Sequence, residues 1–274
     1  MTSEQPGIEA VVDTSTYPVN DLSSDEGQTL IARLHRELAE QQYCVLPGFV
    51  TPQALSSMAA EAKALQDQTY HNNSLRNCYL HQQRDPELPD SHARNLQDRS
   101  STRMLAYDQI SAESPLKTLY HHDGVRELVA GIVGQGPLYD NEDPYQPANY
   151  VCYQDGDESS WHFDGDNAFT MTLMIQPAES GGDFEMSPNT RSDDDQNYDH
   201  VADVLNGKRN DTVMSVGREP GALCIFKGMT SLHRVTRVEG DTLRIMGVFV
   251  YEFSPGVLGD PAVNATVYGS RTQG

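Results

Sequence analysis

The second half of the chain consists of short strand-like segments, and this pattern constrains the fold more than any other feature. In residues 169–176, for example, every odd-numbered residue is large and apolar, the period of two of a half-buried strand. Turn-forming pairs separate such segments at 181–182, 220–221 and 240–241. Apart from one short insertion, helical periodicity precedes residue 148 and strands follow it, which argues against alternating β-α-β units. The sequence therefore predicts an all-β core with a helical extension, as a sandwich or a jelly roll.

The residues before this region are predicted to form an arm, helices and a loop. Residues 1–22 are polar, carry two prolines and show no periodicity, so we expect a flexible arm. A capping-box pattern at Ser23-x-x-Glu26 and the pair Thr51-Pro52 predict the starts of two helices. Residues 67–104 are polar and irregular, which indicates a long loop.

The 274 residues suit one large domain, which we place at residues 23–274. An acidic insertion at 191–210 interrupts the strands, and its apolar spacing predicts a short amphipathic helix. The expected parts of the domain are helical support with a long loop (23–147), the strand-rich core (148–253) and a C-terminal tail (254–274).

Composition argues against several kinds of partner. A net charge of -21 and a pI near 4.6 disfavour nucleic acid and anionic membrane surfaces, both of which attract basic proteins. The first residues lack the basic and apolar regions of a signal peptide, and no apolar run approaches the ~18 residues of a membrane span. Four widely spaced cysteines without a C-x-x-C pair are expected to be reduced. We therefore expect a cytoplasmic protein.

A His-x-Asp pair and a distant histidine suggest a metal centre. His162 and Asp164 stand two residues apart, so on a strand both side chains point to the same face. His233 opens another apolar strand and is placed to supply a third ligand. Two imidazoles and one carboxylate form the facial triad of non-haem Fe(II) sites and leave coordination positions open. The His-x-Asp pair alone would be weak evidence, because such pairs often occur by chance.

Arg244 strengthens the metal hypothesis. It lies eleven residues after His233, in an apolar strand where an unpaired arginine is costly to bury. A planar guanidinium binds a carboxylate through two parallel hydrogen bonds. The alternative is a surface arginine on an edge strand.

Taken in order, these residues and the segments between them resemble the Fe(II)/2-oxoglutarate-dependent dioxygenases. The resemblance covers residues 148–253 and includes Ser180-Gly-Gly-Asp-Phe-Glu185 and Pro220-Gly-Ala-Leu-Cys-Ile-Phe226. It implies a double-stranded β-helix, that is, a jelly roll preceded by N-terminal helices. It further implies Fe(II) on His162, Asp164 and His233, the distal carboxylate of 2-oxoglutarate on Arg244, and O2 as the oxidant. Tyr153 resembles a family position whose phenol contacts 2-oxoglutarate, although a core aromatic would look the same.

The chain also resembles a bacterial subgroup of free amino acid hydroxylases and radical halogenases. The shared features are Asp143-Pro144, Trp-His-Phe-Asp164, the run that begins at Glu179, and the insertion that begins at Arg191. In the halogenating members a small residue replaces the metal carboxylate and leaves room for chloride. Because this chain keeps Asp164, the resemblance implies oxygen transfer.

The expected reaction is hydroxylation of an unactivated C–H bond in a small substrate, a free amino acid or a metabolite derived from one. Desaturation or cyclisation by the same chemistry, hydroxylation of a protein side chain, and a non-enzymatic metal-binding jelly roll are the alternatives. Arg244 argues against the last, because a bare metal site needs no carboxylate anchor.

Three residues are candidate substrate contacts, each with a simpler explanation. Arg94, in the predicted loop, either holds a substrate carboxylate or is solvated. Trp161 either walls the pocket or packs in the core, and Tyr268 either closes over the substrate or is incidental to it.

Overall fold

The computed structural model describes residues 6–165 and 168–273. The strands in this part, in chain order, are β1 (Tyr43–Leu46), β2 (Tyr70–Asn77), β3 (Gln97–Leu105), β4 (Tyr139–Asp140), β5 (Ala148–Tyr153), β6 (Ser159–His162), β7 (Thr170–Gln176), β8 (Ser180–Gly181), β9 (Phe184–Ser187), β10 (Met214–Ser215), β11 (Leu223–Phe226), β12 (Leu232–Val235), β13 (Val238–Glu239), β14 (Arg244–Phe249) and β15 (Tyr251–Glu252). The α-helices are α1 (Ile8–Val11), α2 (Asp25–Gln41), α3 (Pro52–Ala64), α4 (Pro115–His121), α5 (Asp123–Val133), α6 (Tyr198–Leu205) and α7 (Pro261–Tyr268).

Two antiparallel sheets form the core. The large sheet has the order β1-β11-β7-β14-β5-β3-β2, and the small sheet has the order β10-β9-β12-β6. Strands that are distant in sequence pair in both sheets, and β13-β8 and β15-β4 form two separate short ribbons. This arrangement confirms the predicted all-β core and its jelly-roll architecture.

The helices cover one face of the large sheet. α3 packs against β7, α4 against β5, and α2 against both β1 and α5. Leu34, Met58 and Leu128 are fully buried in one apolar cluster with strand residues of the large sheet. The second helix begins as predicted, with the Thr51 hydroxyl accepting a hydrogen bond from the amide of Ala54 at 3.3 Å. The first is capped by Ser24, one residue later than the capping-box pattern indicates.

The expectation of a flexible arm is wrong for residues 6–22. α1 and the turns after it are packed, with five buried apolar residues: Ile8, Val11, Val12, Tyr17 and Val19. The Tyr17 hydroxyl donates to the carbonyl of Pro47 at 2.6 Å, and its ring meets Phe49 edge-on at 5.1 Å. These apolar residues lie in a one-turn helix and the turns after it, which are too short to show the spacing that identifies a helix or a strand. Residues 1–5 of the predicted arm lie outside the described residues.

The predicted long loop at 67–104 is also wrong in part, because its two ends are strands. β2 and β3 pair from Tyr70 with Met104 to Asn77 with Gln97, and β3 continues the large sheet by pairing with β5. β2 is polar on both faces as an edge strand, so it lacks the alternation that would have predicted it. The predicted helix in the acidic insertion is present as α6, and the C-terminal tail contains α7.

No helix in the described ranges combines the length and the apolar character needed to cross a bilayer.

The packed N-terminal segment predicts a stability effect. Tyr17→Ala should lower the free energy of unfolding by about 3 kcal/mol, because it removes a buried ring, whereas Tyr17→Phe should lose only the hydrogen bond, about 1 kcal/mol. Ser15→Ala, in the exposed turn before it, is the control and should change stability by less than about 0.5 kcal/mol. Urea unfolding followed by circular dichroism measures all three, and a Tyr17→Ala variant as stable as the wild type would contradict the packed arrangement.

Candidate metal centre and co-substrate cavity

The pairing of two strands in the small sheet builds the centre of the site. β6 and β12 are antiparallel with His162 directly opposite His233, and Asp164 follows two residues after His162. Asp164 Oδ1 lies 3.4 Å from Nε2 of His233 and 3.8 Å from Nε2 of His162. The three side chains therefore offer ligand atoms that all lie within 4.8 Å of one another. This is the cluster that the sequence predicted.

Hydrogen bonds fix the direction of both imidazoles and of the carboxylate. Nδ1 of His162 is 2.7 Å from the carbonyl of Ser160, and Nδ1 of His233 is 3.0 Å from that of Ser231. When each Nδ1 donates to its carbonyl, each Nε2 keeps a free lone pair, as in metal sites where a backbone carbonyl holds the ligating histidine. The Thr170 hydroxyl donates to Oδ2 of Asp164 and leaves Oδ1 facing the histidines.

The protonation states at the centre suit a divalent cation. Burial lowers the pKa of His162 to about 3, and the positive charges of His233 and Arg76 add to that effect. For Asp164, burial raises the pKa, but the charges of the two histidines and the hydrogen bonds from His233 and Thr170 outweigh it and the net pKa is low. Near pH 7, His162 is thus neutral and Asp164 ionised, which are the forms that ligate metals.

A glycine close to the carboxylate leaves the room that it needs. The carbonyl of Gly228 accepts a hydrogen bond from the amide of Asp164 at 3.1 Å. A Cβ atom at Gly228 would overlap the Asp164 carboxylate and lie 3.1 Å from Cε1 of His233. Only a residue without a side chain fits here when Asp164 adopts this rotamer.

The cluster lies in a cavity of about 160 Å³ between the two sheets. The small sheet contributes His162, Phe184 and His233, and the large sheet contributes Tyr153, Thr170 and Arg244. The candidate metal ligands and Arg244 therefore line one space.

Arg244 is a buried cation with unused donors. It is only 1% exposed, its Nε donates to the carbonyl of Gly182 at 2.9 Å, and its guanidinium carbon lies 4.9 Å from the centre of the Tyr153 ring. Neither of its terminal nitrogens has a hydrogen-bond partner among the described residues. Burial lowers the pKa of Arg244 to about 10, which leaves it charged at pH 7. Because buried donors and charges need partners, this end of the cavity fits an anionic group such as a carboxylate.

Two further arginines at the site were missed by the sequence reasoning. Arg218 lines the cavity, and the charge of Arg76 acts on His162, Asp164 and Tyr153. The Nε of each is buried without a partner among the described residues. Arg76 lies in the polar edge strand β2 and Arg218 in the turn before β11, and neither segment carries a sequence signal for a site.

The structure does not bring the three predicted substrate residues to this cavity. Arg94 is 41% exposed in its side chain and faces Asp85 at 3.5 Å. Trp161 points to the opposite face from His162, where Arg234 stacks on it at 4.7 Å, so it is a core aromatic. Tyr268 is buried beside Tyr145, with ring centres 6.2 Å apart.

The jelly roll and its two-histidine, one-carboxylate cavity define the class of Fe(II)/2-oxoglutarate oxygenases. The model of the family described as HalD, Halogenase D, matches residues 26–258, most of the chain. The chain belongs to this family, which confirms the resemblance and the oxidoreductase class predicted from the sequence. No curated protein matches the chain.

Solved structures with the same fold are distant in sequence. A 2OG-Fe(II) oxygenase family protein from Burkholderia pseudomallei is 13% identical, with 83% of this chain and 92% of that one covered and a TM-score of 0.52. A prolyl hydroxylase from Trichoplax adhaerens, in complex with a hypoxia inducible factor peptide, is 13% identical, with 85% and 96% covered and a TM-score of 0.52. The epimerase SnoN, in complex with Fe3+, alpha ketoglutarate and nogalamycin RO, is 12% identical, with 85% and 93% covered and a TM-score of 0.54.

The close approach of Gly228 to Asp164 predicts the effect of one methyl group on metal binding. Gly228→Ala should weaken Mn(II) or Fe(II) binding at least roughly tenfold, because the carboxylate must leave its position. Gly217→Ala is the matched control, since a Cβ there meets nothing within 4 Å. Anaerobic calorimetry measures both affinities, and equal affinity of Gly228→Ala and the wild type would show that this rotamer of Asp164 does not serve the metal.

Proposed function

We propose that this protein is an Fe(II)- and 2-oxoglutarate-dependent oxygenase that hydroxylates an unactivated C–H bond of a small carboxylate-bearing substrate, a free amino acid or a close derivative. The observation that carries the proposal is the shared cavity of His162, Asp164, His233 and Arg244. A metal site alone does not need a buried guanidinium with two unused nitrogens, whereas a site for a metal and a dicarboxylate does.

In this proposal each residue has a defined task. His162, Asp164 and His233 hold the metal, and Arg244 binds the distal carboxylate of 2-oxoglutarate beside Tyr153. The bound iron, with 2-oxoglutarate and O2, supplies hydrogen abstraction and oxygen insertion, with release of succinate and CO2. The protein keeps both histidines directed at the metal, orients the co-substrate and screens the reaction from water. Desaturation or cyclisation would use the same residues.

Asp164 supports oxygen transfer rather than halogenation, although the family is described as a halogenase family. The carboxylate is ionised, held by the Thr170 hydroxyl and directed at the two histidines. An anionic ligand in that position takes the coordination site that chloride would need. The halogenating members of the subgroup have a small residue there.

Arg76 supports a substrate with a free carboxylate. Its Nη2 donates to Ser100 at 3.1 Å, its buried Nε has no described partner, and its charge acts on Tyr153 and Asp164, which both line the cavity. A free amino acid carries an α-carboxylate that this guanidinium can bind, whereas a residue within a protein chain does not. This contrast favours a free amino acid over a protein side chain. We therefore assign binding of the substrate carboxylate, which the sequence predicted for Arg94, to Arg76.

Turnover tests the function directly. Protein loaded anaerobically with Fe(II) and 2-oxoglutarate, then exposed to O2 with a panel of free amino acids, should give succinate coupled to a product 16 Da heavier than one of them, the mass of one inserted oxygen. Asp164→Gly should lose this product, because one metal ligand is removed. Succinate that no amino acid stimulates, or a wild-type product that carries chlorine, would contradict the proposal.

The two arginines of the β2–β3 region form a matched pair for the substrate carboxylate. Arg76→Gln should raise KM for the amino acid at least roughly tenfold with a smaller effect on the Kd of 2-oxoglutarate, since it removes a charge-assisted contact to the substrate. Arg94→Gln, which removes an exposed charge paired with Asp85, should leave both constants within about twofold. Steady-state kinetics with the best substrate measures the effect. A raised KM in Arg94→Gln with an unchanged KM in Arg76→Gln would instead assign the substrate carboxylate to Arg94.

A further inference from the structure

A second arginine lies at the same end of the cavity as Arg244. The guanidinium carbon of Arg218 sits 4.1 Å from the centre of the Phe184 ring, and its Nη1 donates to the Thr172 hydroxyl at 2.9 Å. Phe184 and Thr172 both line the cavity. The residue as a whole is half-buried, but its Nε has no contact with solvent and no hydrogen-bond partner among the described residues. Arg218 therefore presents an unused donor to the interior.

Both arginines are anchored on one short segment. Arg244 donates to the carbonyl of Gly182, and Arg218 stacks on Phe184 two residues later. The ring of Phe184 also lies 5.7 Å from that of His233, so this side chain contacts both Arg218 and one of the proposed metal ligands. The charges of Arg218 and Arg244 both act on Tyr153, which places the two arginines near the same wall of the cavity.

Neither guanidinium has an Asp or Glu as a hydrogen-bond partner among the described residues. The charge of Asp183 acts on Arg244 without such a contact. The charge of Arg218 opposes that of Arg244, and burial lowers the pKa of both groups. Two neighbouring buried cations destabilise an empty pocket, and an anion between them relieves this repulsion.

We propose that Arg218 is a second anchor for the distal carboxylate of 2-oxoglutarate, so that the co-substrate pocket is a two-arginine site. The inference rests on the proposed function. A carboxylate has two oxygens and about four acceptor positions, so it can take donors from both guanidinium groups at once. Neither the metal ligands nor the contact of Arg218 with Thr172 requires a charge at this position. The pocket is thereby selective for a 2-oxo acid with a second carboxylate.

Binding of two co-substrates to Arg218→Gln and Arg218→Lys tests this role. Anaerobic calorimetry with Fe(II) should give a Kd for 2-oxoglutarate at least roughly tenfold higher in Arg218→Gln, the effect of one charge-assisted hydrogen bond. The Kd of 2-oxobutyrate, which lacks the distal carboxylate, should change by less than about twofold. Arg218→Lys keeps the charge and should fall between the wild type and Arg218→Gln. Arg234→Gln, which loses an arginine that stacks on Trp161 outside the cavity, is the control.

The outcomes separate the second anchor from other roles. A loss of affinity for 2-oxoglutarate, with unchanged affinity for 2-oxobutyrate, supports the second anchor. Equal losses for both 2-oxo acids, or weaker binding of the amino acid alone, would assign Arg218 a structural or substrate role and overturn it, as would an unchanged Kd. If Arg218→Gln does not fold, the same comparison in Arg218→Lys decides. Wild-type protein that binds no 2-oxoglutarate would refute the proposed function. If the wild type binds it and Arg218→Gln binds it with the same Kd, only this inference is refuted.

Discussion

The register between β6 and β12 is the constraint on which the site depends. With His162 directly opposite His233, both imidazoles lie on one face and Asp164 reaches the same point from the end of β6. A slip of one residue would turn His233 to the other face and separate it from its partners. The carbonyls that accept from each Nδ1 belong to Ser160 in β6 and to Ser231 directly before β12, so the same two segments set both the position and the direction of the ligands.

Packing around that register places unpaired charge inside the protein. The helices bury the apolar outer face of the large sheet, and that stabilisation permits a cavity on the other side that is lined by Arg244 from β14 and by Arg218 from the turn before β11. Each arginine has only part of its donors satisfied, by Gly182 or by Thr172. Protein interiors rarely contain unpaired charged donors, so the unused nitrogens indicate that the ligand is an anion. The molecule thus accepts a local cost that a bound carboxylate removes.

Local sequence patterns predicted the strands that line the cavity. The other residues of the site could not be predicted, because their positions depend on the tertiary fold. His162, Asp164 and Arg244 follow from spacing within strands or from a resemblance, because the information is local or ordered along the chain. Arg76 could not be chosen over Arg94 from the sequence, since both lie in polar text and only the pairing of β2 with β3 brings Arg76 into the large sheet. Buried residues of the N-terminal segment, such as Tyr17, were missed because turns bring them to the core without any period.

The packing around Asp164 says more about the reaction of the site than the identity of this residue does alone. The absence of a side chain at Gly228 leaves room for the carboxylate. The Thr170 hydroxyl donates to Oδ2, and the backbone amide of Asp164 donates to the carbonyl of Gly228. Without the carboxylate, that hydroxyl would lose its acceptor and the space beside Gly228 would have no atoms in it. These neighbours are all arranged around a carboxylate, which supports the proposed oxygen transfer. In that proposal the chemistry depends on Thr170 and Gly228 as well as on Asp164, because they hold the carboxylate in place.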